Sequence, residues 1–124
     1  MSDPNPYKNL SSFKRIIKAT DNSLNGLKHV WNEAAFRLEL LVVVVLTPCA
    51  VMIAVDWVEF VLLVFPLFLI LIVEIMNTAI EATINRIGFE YHELSKVAKD
   101  LGSAAVFMSL LFGITLWIMK LIEF

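Results

Sequence analysis

Two carboxylates and two carboxamides set into an apolar run are the residues of this chain whose types and spacing could do chemistry. The stretch from Val73 to Asn85 continues a run that starts near Phe60, yet it carries Glu74, Asn77, Glu81 and Asn85. At about 100° per residue of helix, with Glu74 as zero, Asn77 falls near −60°, Glu81 near −20° and Asn85 near +20°. All four share one stripe, with Ile75, Ala79, Ala82 and Ile84 on its flanks. An ionised carboxylate in hydrocarbon costs at least about 2.5 kcal/mol, so packing alone does not account for the stripe. Glu74 and Glu81 lie two turns apart, about 10 Å along the axis, too far for one ion to hold both easily. Separate roles follow. Glu74, the deeper and partly desolvated of the two, suits proton abstraction. Glu81, nearer water and a basic segment, suits a hard cation such as Mg²⁺ together with Glu33 from another helix. The structural alternative is that Glu74 and Asn77 satisfy a Ser or Asn on a neighbouring helix.

The elements that position this stripe follow from composition. Of 124 residues, 59% are hydrophobic and the net charge is −2, which excludes an ordinary soluble domain and gives no field for nucleic acid. An all-α membrane protein of one domain over 1–124 is expected. Met1–Asn9 reads as a frayed Pro/Asn-rich end, and nothing before residue 37 resembles a cleaved signal peptide. Apolar residues at 10, 13, 16 and 17 face Lys14, Arg15 and Lys18 across a short amphipathic surface helix. Thr20-Asp21-Asn22-Ser23 is expected to interrupt it. A second amphipathic segment then carries Leu24, Leu27, Trp31, Ala34 and Leu38, with residues 1–32 interfacial overall. Three spans follow, over 33–55, 60–85 and 101–120, separated by the polar turn Asp56–Glu59 and a polar loop over 86–100. Thr47-Pro48 predicts a kink that Thr47 or a neighbouring helix could satisfy. Cys49 reads as core packing, the Ala105–Ser109–Gly113 spacing as close helix contact, and Glu93 with Lys96 as a solvated face. Nine of the ten Lys and Arg lie in 1–37 or 86–99, which puts the N-terminus in the cytoplasm and the C-terminus outside.

The unusual polar groups then fall at one level, the cytoplasmic membrane interface: Glu33 and Glu39, the Glu74–Glu81 stripe, and Lys99 with Asp100. A channel would need polar groups continuing to the far side, and the stripe stops instead. Lys99 and Asp100 could hold an anionic cosubstrate beside it. No Walker A or protein-kinase Gly-rich loop is present. On these residues alone the reading is an interfacial enzyme or an acidic membrane site.

Glu74-Ile-Met-Asn77-Thr-Ala-Ile-Glu81, Arg86-Ile-Gly-Phe-Glu-Tyr-His-Glu-Leu-Ser and Ala98-Lys-Asp-Leu-Gly-Ser-Ala-Ala-Val106 closely resemble the prokaryotic diacylglycerol kinases. Arg15-Ile-Ile-Lys-Ala and Asn32-Glu-Ala-Ala-Phe-Arg37 fit the same family, so the resemblance runs from Phe13 to about Trp117. It implies a homotrimer with sites shared between subunits in the bacterial inner membrane, transferring the γ-phosphoryl of MgATP to diacylglycerol. By the same resemblance, Glu74 is the general base with Asn77 beside it, and Glu33 and Glu81 are the metal ligands. Glu90, Tyr91, His92, Lys99 and Asp100 become nucleotide contacts, with Arg15 serving nucleotide and lipid. Glu39, Glu74 and Ser103 become lipid contacts. Asn85 stands where the family commonly carries Asp, and Asn22 where it carries a nucleotide-side Tyr. Two other readings stay open: the same chemistry on undecaprenol, and a non-catalytic membrane scaffold.

Overall fold

The computed structural model describes residues 10–123 as four helices: α1 (Ser12–Val30), α2 (Ala34–Ile53), α3 (Trp57–Ile87) and α4 (Glu93–Ile122). The expected fraying of Met1–Asn9 lies outside the described residues. The last three helices are long and apolar enough to cross a bilayer. At about 1.5 Å per residue, α2 roughly matches a ~30 Å hydrocarbon core, whereas α3 and α4 exceed it by about half. The excess carries the polar ends of both helices out of the apolar layer together.

The N-terminal helix departs from its expected form. It runs unbroken through Thr20-Asp21-Asn22-Ser23. Thr20 Oγ1 donates to Ile16 O and Ser23 Oγ to Ala19 O, each at 2.9 Å, so both hydroxyls bond back into the helix that they were expected to break. The interruption comes later, at Trp31–Glu33, and divides the expected second segment between α1 and α2. Arg37 holds this break: its Nη1 donates to Trp31 O at 2.9 Å and Asn32 O at 2.8 Å, satisfying carbonyls that the end of α1 leaves open. Glu33 is thereby the N-cap residue of α2.

Val30, Phe36, Val43, Leu67 and Leu71 form one buried cluster that ties the end of α1 to α2 and α3. The helix α2 continues through Pro48, and buried Thr47 Oγ1 has no hydrogen-bond partner among the described residues, so it does not repair the backbone there. Cys49 is half-buried and its Sγ donates to Val45 O. The turn before α3 is shorter than expected: Trp57, Val58 and Glu59 already belong to the helix. Asp56 caps it by accepting from Glu59 N at 2.9 Å, while Glu59 Oε2 accepts from Val55 N, a reciprocal arrangement close to a capping box.

The expected loop over 86–100 contracts to the linker between Ile87 and Glu93. His92 starts α4 as its N-cap, its Nδ1 accepting from Leu94 N at 3.2 Å. Gly102 and Gly113 lie against α3 and Ser109 is buried, whereas Ala105 is exposed, so the small-residue contact runs through Gly102 rather than Ala105. At the opposite end, Trp117 Nε1 donates to Leu63 O at 3.1 Å and Lys120 Nζ donates to Glu59 Oε1 at 2.6 Å. Lys120 is only 8% exposed there, and a buried ammonium needs its counter-charge. Lys120→Met is therefore expected to lower the thermal midpoint in detergent by leaving Glu59 uncompensated. Adding Glu59→Gln should recover part of the loss, and additive losses would argue against the pair.

Candidate active site

The 3.6-residue period of α3 delivers the stripe to the helix bundle. Glu74 is buried at 6% exposure, Asn77 and Glu81 are half-buried, and Asn85 is exposed at the polar end. From α2 come Glu39, half-buried, and Glu33, exposed at the helix start. Glu39 lies within electrostatic range of Glu74, and Glu74 within that of Glu81 and Glu33. Four carboxylates thus converge across α2 and α3. Among the described residues none of them has an ion-pair partner. The one hydrogen bond among the stripe's side chains runs from Asn77 Nδ2 to Glu81 Oε1 at 3.3 Å. Among the described residues Glu39 Oε2 and Asn77 Oδ1 are buried without hydrogen-bond partners, which leaves each with an acceptor lone pair open.

A second feature adjoins the polar end of the stripe. Glu90, Tyr91, His92, Lys99 and Asp100 line one open cleft of about 450 Å³, with Asn85 and Lys96 also on its wall. Lys99 Nζ donates to Asn85 Oδ1 at 2.9 Å, joining cleft and stripe. The amide orients that ammonium without neutralising it. The cleft also lies at the N-terminal end of α4, where open backbone N–H groups and the helix dipole favour anions. Because His92 Nδ1 accepts from the backbone, the ring's remaining nitrogen, Nε2, is the one placed to carry a proton outward.

Lys96, read as part of a solvated face, pairs with Asp100 at 2.5 Å on that wall, with about three-fifths of each side chain exposed. The spacing of four residues was visible in sequence; the cleft beside it was not. Two expected contacts stand apart from these groups. Arg15 Nε donates to Leu10 O at 3.1 Å near the start of α1, and Ser103 is exposed one turn beyond Lys99 on α4. Gly102, which residue type alone did not single out, sits directly against Asn77.

As a metal centre the donors are all oxygen. Among the described residues no three His, Cys, Asp or Glu side chains are grouped to hold an ion by themselves. Glu33 and Glu81 carry the carboxylate oxygens that Mg²⁺ takes as a hard cation, and in its usual enzyme role one or two carboxylates act together with substrate phosphates.

The sequence profile for prokaryotic diacylglycerol kinase matches residues 21–121. The diacylglycerol kinase of Escherichia coli strain K12 is 48% identical over 110 residues, 88% of this chain and 90% of that protein. The chain belongs to the prokaryotic diacylglycerol kinase family. Other members with that name include the protein of Pseudomonas aeruginosa PAO1, 47% identical over 108 residues, 86% of this chain and 88% of its own length. The Helicobacter pylori 26695 protein is 38% identical over 118 residues, covering 94% and 92%. This is a family of lipid kinases, and three apolar helices fit a multi-pass membrane member of it. The matched region contains every expected site residue except Arg15, which precedes it.

Proposed function

We propose that this family member phosphorylates diacylglycerol to phosphatidate by direct γ-phosphoryl transfer from MgATP at the cytoplasmic membrane interface. The observation that carries the reading is the set of four converging carboxylates without counter-charge, one of them buried, beside a cleft that presents Lys99 and a helix N-terminus. One half asks for a cation and a proton donor; the other favours a polyphosphate. The name of the relatives supplies the acceptor class.

In this reading Glu74 takes the proton of the lipid's primary hydroxyl as its oxygen bonds to the γ-phosphorus. The bond from that phosphorus to the β-bridging oxygen breaks, and ADP leaves. Glu39, with its open oxygen next to Glu74, accepts from the lipid's polar end and sets its depth. Asn77 orients Glu81. Glu33 and Glu81 would hold Mg²⁺, which when bound neutralises charge on the phosphate oxygens. Lys99 and the start of α4 position the polyphosphate, and Glu90, Tyr91, His92 and Asp100 line the nucleotide's cleft. Phosphoryl transfer asks mainly for such positioning and charge neutralisation. The chain sits in the bacterial inner membrane with its basic side, including the 88–92 linker, in the cytoplasm. Homotrimers with shared sites bring Arg15 and Ser103 to substrates that they do not reach within one chain.

Labelled ATP with diacylglycerol or undecaprenol in mixed micelles tests the proposal. Label is expected on diacylglycerol. Label on undecaprenol alone would reassign the acceptor, and label on neither would favour a scaffold.

A further inference from the structure

We propose that Gly102 is a positioning residue for the metal-binding end of the stripe, acting through Asn77 on Glu81. This rests on reading Glu81 as a metal ligand and adds the residue that fixes its orientation. A Cβ built on Gly102 would fall 2.3 Å from Asn77 Oδ1, 3.4 Å from Asn77 Cγ and 3.7 Å from Ile80 Cδ1. The first distance is one that real side chains do not adopt. The same construction meets nothing within 4 Å at Gly26 and Gly88, and only ordinary contacts of 3.5 and 3.6 Å at Gly113. Glycine is unfavourable inside a helix, and of these four only Gly102 leaves space that another side chain already occupies.

What occupies that space matters to the site. An ionised carboxylate only accepts hydrogen bonds, so the side of Asn77 facing Glu81 is its NH₂ group, bonded to Oε1 at 3.3 Å. The carbonyl Oδ1 must then point away from Glu81, towards Gly102. There it is buried and has no conventional donor among the described residues, leaving the α-carbon hydrogens of Gly102 as weak ones. Any larger residue at 102 drives Oδ1 out of this slot. The amide must turn, its NH₂ leaves Glu81, and the carboxylate loses the bond that orients it. Groups that orient a metal ligand typically carry about 10- to 100-fold in metal affinity.

The test uses the full chain in detergent micelles, with Mn²⁺ binding followed by electron paramagnetic resonance in the presence of a non-hydrolysable ATP analogue. Gly102→Ala is expected to weaken Mn²⁺ binding roughly tenfold or more, with the KM for diacylglycerol unchanged. Asn77→Ala should have a similar effect, and the double variant should be no worse than Asn77→Ala alone. Unchanged Mn²⁺ affinity in Gly102→Ala, or effects that add in the double variant, would overturn the proposal. If Gly102→Ala does not assemble, Asn77→Ala/Gly102→Ala must, because the obstructing atoms are then gone; failure of both also overturns it. Glu81→Ala checks the underlying reading separately. Should that variant bind Mn²⁺ normally, Glu81 is not a ligand, and the coupling is read from the ¹⁵N-labelled Asn77 side-chain amide. Gly102→Ala and Glu81→Ala must both shift that resonance; no shift from Gly102→Ala rejects the coupling.

Discussion

Glu74→Gln is expected to lower kcat by about 10²- to 10⁴-fold, the usual contribution of a general base. Glutamine keeps the shape of the side chain but has no site for the lipid's proton. The residue is nearly enclosed, at 6% exposure, so water has little room to substitute for it. Its neighbours within electrostatic range are all acidic, and removing one charge from that group relieves repulsion rather than breaking an ion pair. Assembly and MgATP binding should therefore survive, measured by size-exclusion chromatography and by nucleotide titration. Loss of either would make Glu74 a structural residue.

Glu81→Ala tests the other carboxylate. The Mg²⁺ concentration giving half-maximal activity should rise by at least about tenfold, as metal sites lose that much from outer groups alone. The KM for lipid should stay in place, because Glu81 stands two turns from Glu74 towards the polar end of α3. An unchanged Mg²⁺ titration would remove the ligand assignment while leaving the base untouched. The pair of variants thus separates a defect in proton transfer from one in charge neutralisation.

Much of this arrangement is legible in residue order. The Glu74–Asn85 stripe follows from helical period, and the three apolar helices follow from uninterrupted hydrophobic length. What escaped depends on atoms distant in the chain or on a choice between two local options. Thr20 and Ser23 have side chains that serve breaks and helices alike, and their bonds to Ile16 and Ala19 settle the matter for the helix. The break at Trp31–Glu33 depends on Arg37 reaching back across it. The start of α4 at Glu93 is decided by the capping bond of His92, which polarity alone could not distinguish from a loop. In the site, the carboxylates were visible one by one. Their convergence across α2 and α3, the bond from Lys99 to Asn85 and the fit of Asn77 against Gly102 required the helices to be placed.

The bonds at the far end of α3 and α4 bear on how substrates can enter. These two helices are joined by a short linker at one end and by Lys120–Glu59 and Trp117–Leu63 at the other. Fastened at both ends, they resist parting like a hairpin opening at its tips. The first helix has a different mechanical standing: Val30, at its last turn, is its one buried residue, and Phe13, Ile16 and Ile17 stand exposed. Within a single chain, the compliant boundary of the site is thus the side bearing Glu33, where α1 meets α2. The pivot for any give in α1 is the Trp31–Glu33 break, while the linker and the Lys120–Glu59 and Trp117–Leu63 bonds tie α3 to α4.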